Sequence, residues 1–116
     1  MTLYMAISRQ EGFYVEGSRA ARNNNPGNLE YGPFTKTQGA TGGDPRFAIF
    51  PTPEMGFAAL HNLFLTEPYR GLTLEQALNR FAPPVENDTR NYLANVCVWT
   101  GANPETPLAN LVTEAA

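Results

Sequence analysis

Proline and glycine crowd the middle of this chain, and that crowding separates what can be helix from what cannot. Five of the ten prolines and five of the ten glycines lie between Pro26 and Pro53. Proline lacks the N–H that a helix needs and clashes with the preceding turn, and glycine loses the most backbone entropy on ordering. A window rich in both breaks into turns and short strands. The flanking segments escape this restriction and carry helical periodicity. The expected fold class is therefore α+β, mostly helical, with a small irregular sheet across about residues 28–50.

At the N-terminus, Leu3, Ala6, Ile7, Gln10, Glu11 and Tyr14 recur at i, i+3, i+4, i+7, i+8 and i+11, one face of a helix. Gly12 and Gly17 end it near residues 11–16. The stretch from Ser18 to Phe34 holds three consecutive Asn, a Pro and a Gly, and reads as a structured loop. Leu29 and Tyr31 alternate with Glu30, and Phe47–Phe50 is a short apolar run beyond the turn-rich Gly39–Pro45. These predict a hairpin or a three-stranded sheet. Helices resume at Thr52, an N-cap ahead of Pro53, with Phe57, Leu60 and Phe64 as a stripe. Thr73 and Gln76 form a capping box before a face of Leu74, Ala77, Leu78 and Phe81, ended by Pro83-Pro84. Asn87 or Asp88 opens a helix with Tyr92, Val96 and Trp99 inward and Gly101 as its stop. A short helix is expected in the tail, residues 103–112. All 116 residues are assigned to one domain.

Composition narrows the function classes. With 42% hydrophobic and 16% charged residues, wholesale disorder is excluded. A net charge of −3, a single Lys and no basic block speak against nucleic acid as a partner. No apolar run approaches a membrane span, and the first residues lack the pattern of a secretory signal. Cys97 alone cannot form an internal disulfide, and Cys97 with His61 cannot make a four-ligand metal cage. Neither metal nor cofactor is expected, and no membrane partner.

Glu11 is the feature with the most chemistry in it. The stripe turns this carboxylate inward, at the negative end of the helix dipole. Burial and dipole both disfavour the ionised form and raise the pKa, which suits a general acid. The alternative is an exposed residue at a fraying helix end. Asn25 and Asn28 belong to a run of amides that can bind sugar hydroxyls and acetamido groups by accepting and donating together. A purely structural turn is the alternative for them. Asp44 reads as a turn residue and Asp88 as a helix cap, with Glu86 unassigned beside it. His61 reads as a core-edge residue, and Cys97, mid-helix, is poorly placed for a nucleophile.

Several segments resemble one family. Gln10-Glu11-Gly12-Phe13 resembles the Glu-Ser-Gly-Phe-type motif around the catalytic Glu of goose-type lysozymes and soluble lytic transglycosylases. Asn25-Pro26-Gly27-Asn28-Leu29 is similar to the segment that carries their Gly-Leu-Met-Gln motif. Ala77–Pro83 is similar in placement to their Ala-Tyr-Asn-Ala-Gly stretch, and Thr89–Val96 to their Thr-x-x-Tyr-Val-x-x-Val helix. The whole chain also resembles small phage virion-associated proteins that carry Asn-Asn-Pro-Gly-Asn and Ala-Pro-Pro-x-Glu-Asn-Asp-Thr. Gly-Leu-Met-Gln itself is absent, and Leu78 stands where the family often has Tyr.

The resemblance implies a lysozyme-like fold whose small sheet forms one cleft wall. It implies a glycosidase that cuts the β-1,4 bond between N-acetylmuramic acid and N-acetylglucosamine in peptidoglycan, as a muramidase or a lytic transglycosylase. Glu11 is then the catalytic acid. Glu30, alternating with Leu29 and Tyr31, is the candidate second catalytic carboxylate, with an exposed strand position as the alternative. Asn25, Asn28, Asn79 and Tyr92 are the expected substrate-binding residues. The expected partner is the peptidoglycan glycan strand, the expected state a monomer, and the expected location a phage virion or the host periplasm and cell wall. A reading from another class stays open: a non-catalytic virion or wall-binding module with a sugar-binding groove.

Overall fold

The computed structural model describes residues 1–113. Helices α1 (Leu3–Gln10), α2 (Arg19–Arg22) and α3 (Pro33–Thr37) precede strands β1 (Gly42–Gly43) and β2 (Ala48–Ile49). Helices α4 (Pro53–Phe64), α5 (Leu74–Phe81), α6 (Thr89–Thr100) and α7 (Leu108–Val112) follow, with a 3₁₀ turn at Glu67–Tyr69. About half of the chain is helical and the two strands pair antiparallel, with Gly42 opposite Ile49 and Gly43 opposite Ala48, so the class is α+β.

Local chemistry sets most helix starts. The side chains of Thr2, Ser18, Thr52, Thr73 and Asp88 each accept from the backbone N–H three residues on, satisfying a donor that the first turn leaves unpaired. Gln76 completes the box by accepting from the Thr73 N–H at 2.9 Å. At the far end of α6, Gly101 takes the left-handed conformation, φ 77°, that stops the helix.

The middle window holds the expected small antiparallel hairpin but departs from expectation in its details. The sheet is two strands of two residues, extended by an isolated bridge between Glu30 and Phe47. Between Leu29 and β1 the chain turns into α3, because Pro33 opens a helical turn while Thr35 Oγ1 accepts from the Gly32 N–H and donates to the Glu30 carbonyl. Tyr31 is therefore exposed and does not share the buried side of Leu29. The stretch expected to be loop contains α2, started by the Ser18 cap. Tyr14 does not continue the stripe of α1: the helix ends at Gln10, the 3.6-residue period lapses with it, and Tyr14 is 55% exposed.

Buried apolar residues form one cluster, with Ile7, Leu60, Leu74, Leu78 and Val96 fully inside. Helix α1 packs most extensively on α6, which also packs on α5. This sets the C-terminal end of α1 beside the first turns of α6. The Asn24–Leu29 segment is pressed onto α4, with Gly56 against Asn24 and Pro26, and Gly27 against Leu60. Asn24 and Asn28 both adopt the left-handed conformation, φ 53° and 47°, which Asn tolerates better than other non-glycine residues.

Candidate active site

Glu11 caps α1 with its own N–H bonded to the Ile7 carbonyl at 2.9 Å, so its backbone is fixed by the helix it ends. Its carboxyl group is gripped from two sides. Asn28 Nδ2 donates to Oε1 at 3.1 Å and to the Glu11 main-chain oxygen at 3.2 Å. The Tyr92 hydroxyl, on α6 and 3% exposed, donates to Oε2 at 2.8 Å. Three segments far apart in sequence thus converge on one carboxyl.

Burial raises the Glu11 pKa above the ordinary carboxylate value. The bonds from Asn28 and Tyr92 and the nearby Arg19 charge pull it down by less. The same contact raises Tyr92: desolvation first, then the Glu11 charge, hold its hydroxyl well above the usual phenol range. The two donors are not equivalent. An amide NH₂ only donates, so Oε1 stays an acceptor, whereas a hydroxyl both donates and accepts. A proton on Glu11 therefore cannot lie in the Asn28 bond, whereas the Tyr92 bond admits one only if the hydroxyl reverses to accept. The Glu11 carbonyl also settles which end of the Asn28 amide faces it. Asn28 Oδ1 points the other way, buried and without a partner among the described residues.

A cavity of about 470 Å³ opens beside Glu11. Asn28, Glu30, Arg46 and Phe47 line it from the sheet region, and Tyr69, Arg80, Phe81 and Glu86 from the helical half. Arg46 joins the two sides, with Nε 3.3 Å from Glu30 and Nη1 3.3 Å from Glu86. The Glu30–Phe47 bridge beside the two strands therefore forms part of one wall, with no residue of β1 or β2 on it. Glu30 lies on it, but its side chain is 65% exposed and engaged by Arg46.

Two expected ligand-binding residues are corrected. Asn25 is 0% exposed, and its amide is used up inside the fold. Nδ2 donates to the Leu29 and Ala48 carbonyls, both at 2.9 Å, while Oδ1 accepts from the Leu29 N–H at 3.0 Å. It stitches the loop to β2 and has no face left for substrate. Asn79 is exposed, bonds back to the Glu75 carbonyl at 2.9 Å and does not line the cavity. With Leu74, Ala77 and Leu78 inward, the next position along α5 must face out.

The remaining candidates fall where their local chemistry puts them. Asp88 caps α6. Asp44 pairs with Arg22 at 3.2 Å. The His61 Nδ1 lies 3.0 Å from the Tyr4 hydroxyl, away from the cavity. Burial pushes the Cys97 thiol above its usual pKa, the wrong direction for a nucleophile. The guanidiniums of Arg19, Arg46 and Arg80 on the cavity wall carry no sequence signal, since each is isolated among unlike neighbours. No group of His, Cys, Asp and Glu among the described residues is arranged to hold a metal.

No protein-family model matches the chain. Among curated proteins it is similar to Protein P5 of Pseudoalteromonas phage PM2, with 35% identity over 99 residues. The alignment takes in 74% of this chain and 58% of the phage protein, so the chain spans little more than half the length of that relative.

Proposed function

We propose that this chain is a lysozyme-like, peptidoglycan-degrading glycosidase with Glu11 as its general acid. The observation that carries this reading is Glu11 itself: a half-buried carboxyl, its pKa raised by desolvation, oriented by Asn28 and Tyr92 at the edge of a cavity large enough for a sugar. Similarity to a phage protein supports a phage setting, from which the proposed enzyme would reach a host wall by virion delivery or at lysis.

In the proposed reaction, the Glu11 carboxyl proton passes to the glycosidic oxygen as its bond to C1 of N-acetylmuramic acid breaks, leaving an oxocarbenium-like centre. The 6-hydroxyl of that same sugar then attacks C1, and its proton returns to Glu11. This yields a 1,6-anhydro end and restores the acid with no second carboxylate. The exposed, Arg46-paired Glu30 favours this route over one in which Glu30 activates water.

Digestion of purified sacculi, followed by mass spectrometry of released fragments, tests the reading. Anhydro-ended fragments are expected from the wild-type protein. Glu11→Gln should slow release by roughly 10²- to 10⁴-fold, the usual cost of losing a general acid. Sacculi that are bound but yield no fragments would overturn the enzyme assignment in favour of a wall-binding module.

A further inference from the structure

The cavity beside Glu11 is more basic than the chain that contains it. Of only eight Lys and Arg residues in a chain of net charge −3, three line this cavity: Arg19, Arg46 and Arg80. Three carboxyls, Glu11, Glu30 and Glu86, line it too. Glu30 and Glu86 are both taken by Arg46. With Glu11 protonated, as its acid role requires, the lining carries an excess positive charge.

Arg19 and Arg80 are the cavity guanidiniums that make no ion pair among the described residues, and of the two Arg19 is laid closer to an aromatic ring. Its central carbon lies 3.8 Å from the centroid of the Phe47 ring, which stacks one face of the group and holds it at the cavity wall. Among the described residues it has no carboxylate within ion-pair distance, and its side chain donates no hydrogen bond. The Arg19 charge favours the ionised form of the neighbouring Glu11. A guanidinium with a stacked face and a free edge is the arrangement that takes a carboxylate through two parallel N–H bonds.

We propose that Arg19, laid on Phe47, is a carboxylate-binding group that selects anionic glycan, receiving an acidic substituent of the sugar bound next to Glu11. This rests on the glycosidase reading and narrows it: the substrate must carry carboxylates, and a neutral N-acetylglucosamine polymer is disfavoured. Two sources supply the same chemistry, the lactyl carboxyl of a stem-free muramic acid and the carboxylates of a peptide stem.

The test is a calorimetric or NMR titration in a Glu11→Gln background, where no substrate is consumed and no shift in acid pKa intrudes. The ligands are a stem-free tetrasaccharide of alternating N-acetylglucosamine and N-acetylmuramic acid, the same tetrasaccharide with its lactyl carboxyls amidated, and the peptide-bearing form. A carboxylate-bearing ligand should bind about tenfold or more tightly than the amidated one, the scale of a charge-assisted hydrogen bond at a partly exposed site. Arg19→Gln should erase that preference, and Arg19→Lys should restore part of it, since the charge returns without the planar fork. Preference for the lactyl form or for the peptide-bearing form identifies the source. Equal binding of charged and amidated ligands, a preference that survives Arg19→Gln or moves to Arg80→Gln, or no binding of any ligand would overturn the proposal. Failure of the glycosidase reading shows separately: sacculi left intact by the wild-type protein while Arg19-dependent binding persists would leave an anionic-sugar site without the enzyme.

Discussion

Replacing Gly56 by Ala sets two effects of opposite sign against each other, and the structure decides between them. In an exposed helix interior the change is favourable, because Ala exceeds Gly in helix propensity by about 1 kcal/mol. Gly56, however, lies buried on the face of α4 that meets the site loop. A methyl there would overlap the Asn24 carbonyl oxygen and come within 2.7 Å of Pro26 Cδ and 3.1 Å of the Asn24 carbonyl carbon. The obstacle is backbone and a proline ring, which cannot swing aside as a flexible side chain would. Nor is the loop free to retreat. Asn24 Nδ2 is bonded to the Phe50 carbonyl at 2.9 Å, and Asn25 makes three further bonds to the segment and to β2. Overpacking of this kind costs about 1–3 kcal/mol, and each loop bond broken adds about 1 kcal/mol. Against the propensity gain, the expected net loss is about 2–3 kcal/mol. For a chain of this size that corresponds to a fall in Tm of roughly 10 °C. Urea and thermal unfolding measure it directly. Glycan cleavage should fall as well, because the displaced segment carries Asn28, which holds Glu11. A Gly56→Ala protein as stable as the wild type would refute the close packing of this loop on α4.

Other expected outcomes concern the site. Burial raises the Glu11 pKa, so the folded state favours the protonated carboxyl and loses stability as pH climbs through that raised value. Urea midpoints of the wild type and Glu11→Gln should therefore converge below about pH 4, where both side chains are neutral, and separate in favour of Gln at pH 7; the opposite trend would mean that Glu11 is not held as an acid. Tyr92→Phe removes the donor to Oε2 and should cost less than about 1.5 kcal/mol of stability. Because that bond lowers the Glu11 pKa, its loss should also cut turnover and move the high-pH fall of the rate profile to higher pH; an unchanged profile would return Tyr92 to a packing role. Glu30→Gln should leave turnover nearly unchanged with anhydro-ended products. A tenfold loss with free reducing ends would instead make Glu30 the second carboxylate of a hydrolase.

The caps at Thr52, Thr73 and Asp88, the stop at Gly101 and the buried faces of α5 and α6 were legible in the sequence because each rests on contacts within about four residues. Glu11 was legible for the same reason, as a carboxyl on an apolar stripe where its helix ends. The outward position of Asn79 follows from the stripe of α5 in the same way. The central window was legible only in outline, as a small antiparallel hairpin, and its details were not. Two-residue strands leave no alternation to detect, and the brief helices α2 and α3 are started by a Ser18 cap and by Pro33, signals submerged among other turn residues. Asn25 and Asn28 show the limit most plainly. They are identical residues three apart in one loop. One is consumed by Leu29 and Ala48, and the other turns to Glu11. No local pattern separates them, because their partners come from β2 and from the end of α1. The gathering of Arg19, Arg46 and Arg80 around one cavity has the same character: each sits on a different element, and only the packing of the sheet region and the helical half around a common space makes them neighbours. Short-range hydrogen bonds and periodicity are written residue by residue, whereas a site made of side chains tens of positions apart exists only once the core has closed.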